Sequence, residues 1–201
     1  VFTSTVAEAG AFIKTNDELV APNIQFHYAP AMVVDHGRTP VWGTGLSCHS
    51  CLLRPKSRGE VTLESADPFA DPLIDPKFLS HPDDMRDMID GYKIMMKVLN
   101  AEPFKKYIQE DASRPIDIND DADIEQAIRE EADTVYHPVG TCKMGSDEMS
   151  VVNNELKVHK ISNLRVVDAS IMPTLVGGNT NAPTIMIGEK ASDLIKSDWA
   201  I

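Results

Sequence analysis

The sequence predicts an α+β fold, an antiparallel or mixed sheet with flanking helices. Three observations carry that expectation. Strand-like runs occupy residues 24–35, 46–53 and 59–64. A long helical run begins at residue 81, with apolar side chains at steps of three and four. Near residue 135 the texture changes to glycine, proline and amide residues, then to a short apolar strand and a final helix. Two parts are therefore expected, 1–135 and 136–201.

Residues 24–35, IQFHYAPAMVVD, alternate like a strand, and Pro30 suggests an edge or a bulge. Residues 46–53 and 59–64 flank a Ser57-Arg58-Gly59 turn and read as a hairpin-like pair. DPFADPLIDP contains three Asp-Pro steps and reads as a rigid loop. Ser80 can cap the next helix, with Asp83 three residues on as its capping-box partner. Met85, Met88, Ile89, Tyr92, Met95, Met96 and Leu99 then form one stripe, read as core filling. A second helix is expected over 121–132, burying Ile124, Ala127 and Ile128. After a short strand near 156–158, LRVV at 164–167 reads as a buried strand ending at Asp168. The last helix should start around Asn181 and Pro183 and run through Ile187, Ala191, Leu194 and Ile195.

Composition narrows the function classes. The chain has 201 residues, 42% of them hydrophobic, and a net charge of −12. A chain of this kind can bury a core and is not disordered throughout. Ten acids stand against only Arg114 and Arg129 within residues 110–133. That balance argues against a phosphate-binding surface for nucleic acid. No apolar run approaches the roughly 20 residues needed to span a bilayer. The sequence opens on Val1 rather than Met and so reads as a piece of a longer protein, for which the lack of a signal-peptide pattern here says little. Its cysteines are Cys48, Cys51 and Cys142, an odd set that suits a reducing compartment. Cys48-His49-Ser50-Cys51 is a Cys-x-x-Cys without a second pair at finger spacing, so no metal site is expected. A non-catalytic binding module with a metal held by Cys48 and Cys51 stands as the alternative reading.

Two features could carry chemistry. In TVYHPVGTCKMG, Pro138 drives His137 toward an extended backbone, and imidazole can take a proton near neutral pH. In GGNTNAP, a glycine loop enters a helix start, where free N–H groups favour developing negative charge. Each feature alone is also compatible with an ordinary turn.

Together, YHPVGTCKMG, LRVVDASIMP and GGNTNAPTIMIGEKASDLI closely resemble the C-terminal signature of the glucose–methanol–choline family of FAD-dependent oxidoreductases. The resemblance covers essentially the whole chain, and WGTGLSCHSCLLRPKSRGEVTLESADP looks like its alcohol and choline dehydrogenase branch. It implies that residues 1–135 form the substrate-binding region. Residues 136–201 would then hold the active-site segment and the last strand and helix of an incomplete Rossmann-like FAD domain. It implies His137 as the base that takes the alcohol's proton and Asn179 as the partner of the substrate oxygen. It further implies that Asp168, Ala169, Thr180, Asn181 and Pro183 line FAD.

The family's Gly-x-Gly-x-x-Gly turn for the FAD pyrophosphate is absent from these 201 residues. FAD is therefore expected in the full-length enzyme and not in this piece, which should be inactive and inclined to self-associate through the LRVV strand. The implied partner is a small alcohol, choline or an aliphatic one. Aromatic residues are only 6% of the chain, which favours an uncharged alcohol over a trimethylammonium group. No cysteine or histidine set resembles an electron acceptor's own cofactor. The expected location is the cytoplasm, or the inner face of a membrane to which the full-length enzyme attaches peripherally.

Overall fold

The computed structural model describes residues 5–108 and 115–199. The start of the acidic segment, residues 110–114, lies outside them. The chain divides into two compact units. One comprises residues 1–56 and 79–133, the other residues 57–78 and 134–201. The segment 57–78 thus falls with the C-terminal residues rather than with 1–135.

In the first unit, β1 (Ala9–Ile13), β2 (Ile24–Ala29) and β3 (Ser47–Leu52) form an antiparallel sheet in the order β1-β2-β3. β2 ends at Ala29, before Pro30, so the proline stops the strand. The strand itself is central and not an edge, pairing with β1 on one side and β3 on the other, and the proline beyond its end takes no N–H from either ladder. Ile24 and Phe26 are buried on one face with Met95 of α1 (Pro82–Leu99). The other side of α1 places Met85 and Ile89 against Ile124 and Ile128 of α3 (Asp121–Glu131), and a single-turn helix, α2 (Glu102–Lys105), lies between the two in sequence. The methionine stripe is therefore core. His81, and not Ser80, caps α1, because its ring nitrogen accepts the Asp83 N–H while Pro82 fills the first helical position. Asp120 caps α3 in the same way through the Ala122 N–H.

The expected hairpin across 46–64 does not form. β3 pairs with β2, while β4 (Glu60–Thr62) pairs with β5 (Leu73–Asp75). Leu73, Ile74 and Asp75 sit inside the stretch expected to be loop. Pro72 precedes these residues and Pro76 follows them, so no proline interrupts the run, and three residues suffice for one short ladder.

In the second unit the core comprises Val152, Leu156, Ile171, Met172, Ile187 and Ala191. LRVV is not a regular strand. Lys157 and Arg165 make one antiparallel bridge, with Val158 N–H donating to Leu164 O and Val166 N–H to Leu156 O. Val166 and Val167 pack on the core, so their apolar character serves packing and not a sheet. α4 (Asn181–Trp199) turns Ile187, Ala191 and Leu194 inward at helical spacing. Among the described residues no helix is long and apolar enough to cross a membrane.

The alternative metal reading fails on geometry. Cys48 lies opposite Tyr28 and Cys51 opposite Gln25, three residues apart on one strand. Side chains alternate along a strand, so the two thiols leave opposite faces of the sheet and cannot share an ion. No group of three potential metal ligands exists among the described residues. Burial pushes the Cys48 thiol up to about 11, against a smaller opposing hydrogen bond with Tyr28, and burial raises Cys51 as well. The thiolate is the reactive form, so at pH 8 Cys48 should alkylate roughly a hundredfold more slowly in the native protein than after unfolding in urea. Mass-spectrometric labelling at that site measures the ratio, and equal rates would contradict the burial.

Gly91 is where α1 meets the sheet. A Cβ there would lie 3.1 Å from Ile24 Cγ1 and 3.2 Å from Ser50 Oγ. Gly91→Val forces two further methyl groups into that contact and should cost about 1–3 kcal/mol. Urea unfolding should show the loss as a lower midpoint, and an unchanged midpoint would mean that helix and sheet do not pack there.

Candidate active site

The backbone around His137 is set residue by residue. Tyr136 has a left-handed φ of 63°, uncommon for a bulky side chain, and Pro138 restricts the His137 backbone from the other side. Gly140, at φ 91°, then lets the chain turn back. Beyond it the segment is pinned. Cys142 N–H donates to Ser170 O at 3.0 Å and Met144 N–H donates to Ile171 O at 2.8 Å. Those two carbonyls come from a single 3₁₀ turn, Ala169–Ile171, which Asp168 closes by accepting the Ser170 N–H at 2.7 Å. Farther along, Asp147 binds Lys143 Nζ at 2.9 Å, Ser150 Oγ at 2.7 Å and the Met149 N–H at 3.0 Å. Lys143 first, then Ser150, hold its carboxyl at about 2.

The imidazole is gripped at both nitrogens. Nε2 lies 2.8 Å from Asn179 Nδ2, and Nδ1 lies 2.8 Å from Thr180 Oγ1. The Thr180 N–H is also directed at Nδ1, at 3.4 Å. Thr180 is buried, the ring is half-buried and Asn179 is exposed. The accessible edge of the ring is therefore the Nε2 edge. A hydroxyl arriving there can donate to Nε2 and accept from the Asn179 amide in place of their mutual bond. That is the arrangement a proton-abstracting base requires. Asn179 offers a donor without competing for the proton.

Thr180 directly precedes α4, and its carbonyl accepts from the Thr184 N–H at 3.0 Å and from Thr184 Oγ1 at 2.6 Å. Pro183, the third residue of the helix, lacks one of the two N–H groups from which a capping hydroxyl accepts. The Thr180 hydroxyl lies on His137 Nδ1 instead. Asn181 and Ala182 are exposed at the helix start, and their N–H groups have no acceptor within the helix.

Of the residues expected at the site, His137, Asn179 and Thr180 come together. Asn181 and Pro183 stand in the adjoining first turn. Asp168 and Ala169 belong to the turn that pins the histidine segment. That Asp168 turn and the Thr180 hydroxyl bond are roles the motifs did not announce. Asp-Ala-Ser after an apolar run was a legible turn signal. The contact between Thr180 and a residue 43 positions away had no local signal.

The chain is similar to known proteins over most of its length. A family model described as GMC oxidoreductase matches residues 55–188. The chain is 50% identical over 193 residues to an alcohol dehydrogenase [acceptor] of Pseudomonas putida, covering 96% of this chain and 35% of that protein. It is 44% identical over 189 residues to an oxygen-dependent choline dehydrogenase of Klebsiella pneumoniae, covering 94% of this chain and 34% of the relative. The chain therefore spans about a third of the length of these relatives. Among solved structures it superposes on pyridoxine 4-oxidase from Mesorbium loti with a TM-score of 0.84 at 27% identity, over 94% of this chain and 37% of the other. It superposes on a formate oxidase variant of Aspergillus oryzae with a TM-score of 0.84 at 31% identity, over 90% and 32%. The chain belongs to the GMC oxidoreductase family.

Proposed function

We propose that this chain forms the proton-handling part of an FAD-dependent enzyme that oxidises a primary alcohol to the aldehyde. The observation that carries the reading is the contact between His137 Nε2 and the exposed Asn179 amide at 2.8 Å. The alcohol would lose its hydroxyl proton to Nε2, while Asn179 hydrogen-bonds the same oxygen and keeps its lone pair aligned. FAD, when bound, would supply the two-electron acceptor that takes hydride from the carbinol carbon. The chain's residues fit one part of that group. The N–H groups at the start of α4, carried by the exposed residues Asn181 and Ala182, suit the electron-rich edge of a reduced flavin. Gly177 and Gly178 just before them present no side chain to a flat ring. Asp168 and Ala169 are proposed to line the same cofactor. The pyrophosphate has no glycine-rich turn to meet in this sequence, so FAD retention is proposed for the full-length protein.

For the substrate we infer an uncharged aliphatic alcohol in preference to choline. Tyr136 is the one aromatic residue in the pinned segment, and a single ring makes a poor cage for a quaternary ammonium. The alcohol dehydrogenase relative, at 50% identity, supports the same choice over the choline dehydrogenase at 44%. Comparing kcat/KM for a primary aliphatic alcohol and for choline in the full-length, FAD-loaded protein decides it. A preference for choline would overturn this assignment.

In that protein His137→Ala should lower turnover by about 10²–10⁴-fold, the contribution of a positioned base. Asn179→Ala, which leaves the substrate oxygen without its amide donor, should lower kcat/KM by roughly 10–100-fold. Steady-state kinetics with saturating alcohol measures both. Near-normal turnover in the His137 variant would remove the histidine from its role.

A further inference from the structure

We infer that Thr180 is a positioning residue that selects the proton-bearing nitrogen of His137. This rests on the reading of His137 as a base, and it concerns the chain's own atoms. A neutral imidazole carries one N–H and one lone pair, so its two hydrogen bonds must be complementary. Two arrangements satisfy the observed contacts. In the first, Nδ1–H donates to Thr180 Oγ1 and Nε2 accepts from the Asn179 amide. In the second, Nε2–H donates to a turned Asn179 amide and Nδ1 accepts from the Thr180 hydroxyl and N–H. The amide favours the first, because Asn179 presents Nδ2, a donor, to Nε2 at 2.8 Å and Nε2 must then accept. Thr180 Oγ1, at 2.8 Å from Nδ1, can serve either arrangement, and the Thr180 N–H directed at Nδ1 is the longer of the two donor contacts, at 3.4 Å.

The first arrangement is also the one that works as a base. It leaves the lone pair on Nε2, the edge shared with exposed Asn179. The Thr180 oxygen accepts from Nδ1–H before proton uptake and afterwards, so nothing buried must reorganise when Nε2 gains its proton. The position of Thr180 makes this role available. It stands where a capping residue can turn its hydroxyl back on the helix; Pro183 removes one of the two N–H donors for that bond, and the hydroxyl lies on His137 Nδ1. Thr180 is buried, which limits the access of water to Nδ1.

The tautomer is read directly by ¹⁵N chemical shifts of the imidazole in histidine-labelled full-length protein, with the His137 signals assigned by their loss in His137→Gln. Wild type and Thr180→Ser should both show Nδ1–H with an unprotonated Nε2 at about pH 8.5, well above the ordinary histidine range. Thr180→Val, which keeps the shape and loses the oxygen, should show a mixture or the Nε2–H form. In the FAD-loaded protein, Thr180→Val should lower kcat about tenfold with KM little changed, and Thr180→Ser should restore most of it. An Nε2–H ring in wild type would overturn the inference whether or not the valine variant folds. An unaltered Nδ1–H ring in Thr180→Val would overturn it too. An alcohol that is not oxidised at all, with the tautomers as stated, would sink the catalytic reading and leave the assignment of Thr180 intact.

Discussion

Two consecutive residues, Asn179 and Thr180, hold both nitrogens of one imidazole ring, and much of the second unit serves that grip. The ring and its holders are 42 and 43 residues apart in sequence. They meet because the chain between them is anchored twice. The carbonyls of Ser170 and Ile171 receive the N–H groups of Cys142 and Met144, and the side chains of Met144, Ile171 and Met172 share one core. Without the 3₁₀ turn closed by Asp168, those carbonyls would have no fixed direction. Without α4 docked through Ile187, Ala191 and Leu194, Thr180 would have no fixed place.

The same frame explains the backbone conformation at Tyr136. A left-handed bulky residue persists only where its surroundings over-determine it. Here Pro138 restricts the next step, Gly140 permits the reversal, and the backbone bonds from Cys142 and Met144 hold the chain beyond the turn. Burial is graded across the ring, from the enclosed Thr180 hydroxyl to the exposed Asn179 amide. That gradient encloses one edge of the ring and leaves the other accessible. The first unit shows the division of labour in simpler form. Its methionine-rich helix packs on a three-stranded sheet through Gly91 and Met95, and its two strand cysteines are packing residues on opposite faces.

Several of these elements are legible in the sequence, for physical reasons that differ from one to the next. α1, α3 and α4 are legible because apolar residues at three- and four-residue steps have few other uses. Their boundaries are less so, since His81 rather than Ser80 caps α1, through a ring nitrogen that propensity rules do not anticipate. Strand existence is readable at β2 and β3, whereas pairing is not. Nothing local to residues 46–64 tells β3 to choose β2 and β4 to choose β5. LRVV misleads because a continuous apolar run looks the same whether it enters a sheet or lines a core. At the site, His137 and Asn179 stand out through the motifs around them. The motifs group Thr180 with the cofactor residues beside it, and only the folded chain reveals that its hydroxyl faces the histidine.

The central claim is that a primary alcohol gives up a proton and a hydride at this site. Anaerobic rapid mixing of the full-length, FAD-loaded protein with a primary aliphatic alcohol tests it in a single turnover. The oxidised flavin absorbance should be lost, and more slowly when the carbinol carbon carries deuterium. A flavin that stays oxidised in the presence of saturating alcohol would contradict the claim.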